Sequence, residues 1–359
     1  MQLLSFGSVS HMTYEVTFHR TERLRALARW SEVGVLEQRK KLPIEQAFAE
    51  RVARLTEVFF RPVSLHDSSS VKFHRQLSYL MDAFDALPER VDIAFDSTWK
   101  AFELASTDMN DGNITDRLKS LSGTLDVSLT NRLCSFFPVQ SCEYLFKRLV
   151  PDVAMAKTKL ANAKAKLDEA EDKIATAVGA AEMKAAKAWE KAAKVDVNAA
   201  KADAGIRIEN RVTGLNDAKI VQLLEHLRAT YGDDSSDSRR KGSLLLRKAL
   251  RGDVLDLGPV SGFCLDASSR SGVLISLFLY TARNGRFHGE SFSPFVSSDA
   301  SIRTYTHPYF LFLASYYLLL SVWKVSCPQV LSCDTAGITA SLEKNIDTAM
   351  KLFGRHWDK

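Results

Sequence analysis

Residues 152 to 210 constrain the fold most, because they are dominated by alanine and lysine with interspersed acids and hold no proline. These residue types lose little side-chain freedom in a helix, so the run predicts helix over nearly its whole length. A seven-residue spacing runs through it. Leu160, Leu167, Ile174, Ala181, Ala188, Val195 and Ala202 mark one seam position. The companion position is Ala163, Ala170 and Ala177 before Gly179, then Ala185, Ala192 and Ala199. An alanine seam permits close approach but buries little area. It predicts a long arm or hairpin packed on a neighbour rather than an independently stable coiled coil. Lysines interleaved with Glu169, Glu171, Asp172 and Glu182 read as a solvated face rather than a nucleic-acid surface.

The rest of the chain is also helical in pattern. Helices are expected over 21 to 41 and 43 to 60, with Pro43 in a first turn and Leu55, Val58 and Phe59 on one side. "SLHDSSS", 64 to 70, reads as loop, and helix resumes at Val71. Over 87 to 106, Val91, Phe95, Thr98, Trp99 and Phe102 share one face. Further helices are expected over 114 to 123, 125 to 135, 141 to 149 and 216 to 232, the last with Ile220, Leu223, Leu224 and Leu227 inward. "DDSSDSRRKGS", 233 to 243, reads as loop, 244 to 251 as a short helix and 253 to 271 as irregular. "GVLISLFLYTA" begins a buried helix that runs into Arg283, 292 to 306 reads as loop, and 337 to 353 as a terminal amphipathic helix. Few segments alternate as strands do, so the chain is expected to be mainly α.

"PYFLFLASYYLLLSVW", residues 308 to 323, is short of the roughly 20 apolar residues a membrane span needs and holds Tyr316 and Tyr317 at its centre. It predicts a core helix over 308 to 325 and no membrane association. A net charge of +5 inclines the chain only mildly toward anionic partners. Cys134, Cys142, Cys264, Cys327 and Cys333 lack the spacing of a zinc site or a disulfide framework, and the N-terminus lacks a signal-peptide pattern. Both observations point to a cytoplasmic chain.

"LYTARNGRFHGESF", 279 to 292, carries the chemistry. Arg283 and His288 stand five apart, with Asn284, Gly285, Arg286, Gly289 and Glu290 around them. Spacing alone discriminates nothing, since Arg61 and His66 in "RPVSLH" share it. Context separates the two: only Arg283 and His288 follow an apolar helix directly. A histidine exchanges protons near pH 7, and a guanidinium offers a charged fork for phosphate oxygens. Those are the groups needed to cleave RNA by attack of its own 2′-hydroxyl, with no cofactor or metal. On an unbroken helix the two positions lie about 140° apart, so Gly285 is expected to break the geometry and Gly289 to admit a phosphate backbone. Asp92 and Asp96 share a helix face, read most simply as solvated, and His307 before Pro308 reads as an N-terminal helix residue.

The Arg-Asn…His-Gly context resembles the HEPN superfamily of helical RNases and nucleotide-binding domains. The likeness extends more weakly to "RVDIAFDSTWKAFEL", 90 to 104, and to the apolar helix after the motif, together about a third of the chain. The resemblance implies a HEPN-like helical bundle over 71 to 330 with an Ala/Lys-rich helical insertion at 152 to 212, an N-terminal helical region, 1 to 70, and a C-terminal helix, 331 to 359. It implies a metal-independent endoribonuclease in a bacterial toxin or antiphage defence setting, with RNA as substrate and an antitoxin or defence protein as partner. Arg283 and His288 would be catalytic, at a site shared across a homodimer. Asn284, Arg286 and Glu290 would orient the substrate or the catalytic pair. Glu290 stands where some HEPN toxins carry a modified tyrosine, so regulation by that route is not implied. The competing expectation is a HEPN-like module that dimerises or binds a nucleotide or partner without cutting.

Overall fold

The computed structural model describes Thr21 and residues 41–358, apart from 111, 151–152, 234, 259, 288–294 and 296–298. The helix expected over 21 to 41 lies outside the described residues. The protein is mainly α. Among the described residues no strand forms, and only two isolated antiparallel bridges occur, Leu65 with Leu331 and Leu255 with Phe263. Two compact units divide the chain. One joins the described residues up to Ser141 with those from Leu279 onward, and the other is Cys142–Phe278. The expected insertion, 152 to 212, falls inside the second unit, which also takes in 213 to 278. The described residues of the N-terminal and C-terminal regions both fall in the first.

In the first unit, helix α1 (Pro43–Ala53) opens with proline at its first turn, and Glu45 accepts a hydrogen bond from the Leu42 backbone N–H at 2.8 Å. It ends at Ala53 rather than at residue 60. Residues 54 to 66 instead form an extended strap, because their backbone groups find partners outside a helix. Asn345 accepts from the Arg61 N–H at 2.8 Å and donates to the Arg61 carbonyl at 2.9 Å. The Val63 N–H donates to the Tyr316 hydroxyl at 2.7 Å, and the His66 N–H to the Val330 carbonyl at 2.8 Å. Phe59, Phe60 and Val63 are buried, whereas Val58 is exposed.

Helices α2 (Val71–Asp85) and α3 (Val91–Ser106) pack together, and α3 buries the face formed by Val91, Phe95, Thr98, Trp99 and Phe102. Helices α4 (Ile114–Thr124) and α5 (Val127–Ser135) follow, capped by the Asn113 and Asp126 side chains, and α6 (Val139–Leu149) carries the chain into the second unit from Cys142 on.

After the second unit the chain returns through α13 (Tyr280–Phe287) and α14 (Ile302–Ser326), which packs along α3. Long and apolar enough to cross a membrane by composition, α14 has 83% of its apolar window buried and serves as the core helix. It begins at Ile302, so the expected loop, 292 to 306, is shorter and Pro308 lies inside the helix. A proline there sacrifices one backbone hydrogen bond. The turn before it is fixed independently: Ser301 and Thr304 form a capping box, and the Tyr305 ring stacks on Phe48 at 3.8 Å and Phe295 at 4.1 Å. Helices α15 (Thr335–Phe353) and α16 (Arg355–Asp358) complete the unit.

In the second unit, α7 (Val153–Thr176) and α8 (Ala180–Lys201) form a hairpin. Lys166 pairs with Asp196 at 3.9 Å and Lys173 lies 3.4 Å from the Trp189 ring centroid, so the two strings of residue numbers run in opposite directions. Of the expected seam in α7, Ala163 and Ala170 are buried and Leu160, Leu167 and Ile174 are half-buried, while Ala156, one repeat earlier, is also buried. In α8 the buried positions are Ala186, Ala193 and Val197, while Val195 is 61% exposed. The expected seam is therefore displaced there. The chain reverses at 177 to 179, and the register of α8 follows its contact with α7 rather than a heptad counted through Gly179.

Helices α9 (Ala204–Leu215), α10 (Ala218–Tyr231) and α11 (Ser236–Arg251) follow, and α11 occupies most of the expected loop, 233 to 243. The Ser235 side chain caps it, and Asp237 pairs with Arg240 and Lys241 one turn on, converting a polar run into a helix start. Helix α12 (Ala267–Gly272) leads into a buried π-helical stretch, Val273–Leu279.

Candidate functional site

Four of the expected site residues lie on α13: Arg283, Asn284, Gly285 and Arg286. The helix continues through Gly285, which is buried, so the expected break at that residue does not occur. A single helical glycine costs only about 1 kcal/mol, and the anchoring of Arg283 and Arg286 on either side holds the turn. His288, Gly289 and Glu290 lie outside the described residues.

The anchor is a stripe of carboxylates on α3. Asp92, Asp96 and Glu103 follow one another at intervals of four and seven, which puts all three within about 40° of one helix face. Arg286 donates to Asp96 from Nε at 2.7 Å and from its terminal nitrogen at 2.6 Å, and to Asp92 at 3.3 Å. Arg90 donates to Asp92 from the other side, with two bonds of 2.9 Å. Asp92 is buried, so the expectation of a solvated acidic face is corrected: these acids are the sockets of an arginine clamp. Burial opposes the Asp92 charge, but the Arg90 hydrogen bonds and the Arg90 and Arg286 charges outweigh it and hold the carboxyl below its ordinary value. Burial likewise opposes the Arg286 charge, and Asp96 and Asp92 reverse that and raise its pKa. Arg286 thus joins α13 to α3 through Nε and one terminal nitrogen.

Arg283, three residues earlier, is held more lightly. It donates to the Asn284 side-chain oxygen at 3.0 Å and lies 3.5 Å from Glu103, whose same oxygen accepts from the Trp99 indole at 2.9 Å. Its guanidinium carbon is 4.6 Å from the centroid of the Phe287 ring. Its Nε is buried and has no acceptor among the described residues. Arg283 therefore has one carboxylate partner at 3.5 Å where Arg286 has two, the nearer at 2.6 Å.

His307 is not a simple helix-start residue. It sits in the sixth position of α14 and its Nδ1 lies 3.0 Å from the Ser141 hydroxyl. Burial, then the Arg286 charge, push its pKa down to about 3, so it is neutral beside the clamp. The second arginine–histidine pair behaves differently: Arg61 and His66 lie on the strap, with their backbones bonded and their side chains exposed.

The Asp92, Asp96 and Glu103 stripe escaped the sequence reading because an acid pair at a four-residue interval is equally the mark of a solvated face. A pair of arginines at a three-residue interval, Arg283 and Arg286, was its complement. Among the described residues no three His, Cys, Asp or Glu side chains gather as a metal site. No protein-family model matches the chain, and neither a curated protein nor a solved structure does.

Proposed function

We propose that the chain is a HEPN-type, metal-independent endoribonuclease working as a homodimer, with Arg283 and His288 as its catalytic residues. The supporting observation is the unequal use of two neighbouring arginines. Arg286 is held by two carboxylates of the core helix α3, Asp96 and Asp92, while Arg283 is oriented only by Asn284 at 3.0 Å and by Glu103 at 3.5 Å. A guanidinium preoriented this lightly, by one amide oxygen and one carboxylate at the edge of hydrogen-bond range, suits stabilisation of a phosphorane.

In the proposed reaction the 2′-oxygen bonds to the adjacent phosphorus while the bond from phosphorus to the 5′-oxygen breaks. A neutral His288 takes the 2′-hydroxyl proton, and the protonated His288 of a second copy gives one to the departing 5′-oxygen. Arg283 balances the charge on the phosphorus oxygens. Asn284 holds the Arg283 side chain, and Arg286 acts through α13 rather than on the substrate. A bacterial toxin or antiphage defence role, with an antitoxin or other partner protein in the cytoplasm, follows from the family resemblance.

The engagement of Arg283 by Glu103 favours a second reading, a HEPN-like module that dimerises or binds a nucleotide without cutting. Product chemistry separates the two. Incubation with RNA in EDTA is expected to give fragments ending in 2′,3′-cyclic phosphate and 5′-hydroxyl, with 2′-O-methyl RNA left intact. Fragments ending in 5′-phosphate, or cutting of the 2′-O-methyl strand, would refute the mechanism.

A further inference from the structure

Helix α11 gathers a concentration of charge that the catalytic proposal does not use. Within Ser236–Arg251 stand Arg239, Arg240, Lys241, Arg247, Lys248 and Arg251 against a single acid, Asp237, a net +5 equal to the formal charge of the whole chain. The remainder of the protein therefore sums to neutrality. Mixed charge is the rule elsewhere, including on the lysine-rich hairpin, where acids interleave with the lysines.

The orientation of α11 is settled by its other face. Gly242, Ser243, Leu246, Ala249 and Leu250 are buried, and a Cβ at Gly242 would come within 2.2 Å of the Phe146 ring. That contact leaves no room for a side chain and pins the helix. Arg240, Lys241, Lys248 and Arg251 are exposed on the opposite side. Rows at seven- and four-residue intervals, Arg240 to Arg247 to Arg251 and Lys241 to Lys248, run along it for about 16 Å. Asp237 alone serves both Arg240, at 3.0 Å, and Lys241, at 2.7 Å. No large apolar side chain of α11 is exposed to enter a lipid surface. The majority of arginine over lysine suits phosphate oxygens, which match its planar fork.

We propose that the outward face of α11 binds the phosphate backbone of an RNA strand. The proposal rests on charge and orientation in the second unit and stands whether or not α13 cuts RNA. Its test is equilibrium binding of the full chain to a labelled 2′-O-methyl RNA oligonucleotide, which cannot be cleaved by 2′-hydroxyl attack, over a range of salt. With about four phosphates neutralised, the logarithm of affinity is expected to fall with the logarithm of salt with a slope of about −3.

The variant Lys241→Ala/Lys248→Ala/Arg251→Ala is expected to flatten that slope by about 2 and weaken binding at least about tenfold near physiological salt. Lys184→Ala/Lys187→Ala/Lys191→Ala removes the same charge from the hairpin and is expected to leave affinity within about threefold. Circular dichroism melting checks that both variants fold. Equal losses in both variants, an α11 variant that binds like the wild type, or absent RNA binding would overturn the proposal. So would tighter binding to vesicles containing phosphatidylserine or to polyglutamate than to RNA.

Discussion

The strap, 54 to 66, and helix α13, Tyr280–Phe287, each carry an arginine that a histidine follows five positions later, and they use it in opposite ways. On the strap the backbone is what the protein holds: Asn345 brackets both polar groups of Arg61 while the side chain is exposed. On α13 the backbone is satisfied by the helix itself, and the side chains are held: Arg286 by Asp96 and Asp92, Arg283 by Asn284 and Glu103. Spacing in sequence is therefore uninformative about function until the structure says which atoms are constrained. An oriented guanidinium has lost its conformational entropy before any ligand arrives, whereas an exposed one has not.

The largest stability effect is expected at the clamp. Arg286→Ala leaves the buried Asp92 with one partner and Asp96 without its own, and should cost about 3–5 kcal/mol in urea denaturation. A loss below about 1 kcal/mol would mean that the carboxylates are hydrated and the clamp is weak. Next comes Asn345→Ala, which strands the Arg61 N–H and the Arg61 carbonyl and leaves the Tyr317 hydroxyl with Ser341 alone, and should cost about 2–3 kcal/mol.

The effect of pH tests the surroundings of the clamp. His307 has a folded pKa of about 3, below its unfolded value, so the unfolded chain binds the extra proton between the two. Its contribution is complete above about pH 6.5 and is lost as pH falls toward 3, by up to about 4–5 kcal/mol over the whole interval. His356, also lowered, acts in the same direction, so the comparison with His307→Gln isolates the one ring. A His307→Gln protein as pH-sensitive as the wild type between pH 6.5 and 4 would remove the buried neutral histidine from the account. Arg61→Ala should be the quietest change, within about 0.5 kcal/mol in stability and without effect on RNA cleavage.

Much of the architecture was legible from residue pattern. The apolar face of α3, the inward leucines of α10 and the seam of α7 all lie where periodicity puts them, because burial of apolar area sets each of them. The losses came where distant groups decide. Residues 54 to 60 have a helical composition, yet Asn345 and Tyr316, far along the chain, draw them into a strap. The α8 seam shifted because a neighbouring helix set its register. "SDSRRKG" reads as loop by composition, but its charges sit one helical turn apart and form a helix start. At the site, the arginines were visible and their partners were not, since nothing in an acid stripe says whether water or a guanidinium will face it.

Catalysis by Arg283 and His288 is tested directly by cleavage of total RNA and tRNA by the purified protein in EDTA, beside Arg283→Ala, His288→Ala and Arg61→Ala variants. Cleavage by the wild type and Arg61→Ala at equal rates is predicted, with losses of about a hundredfold or more in the other two. Equal cleavage by all four proteins, or none by the wild type even with its natural partner present, would contradict the account.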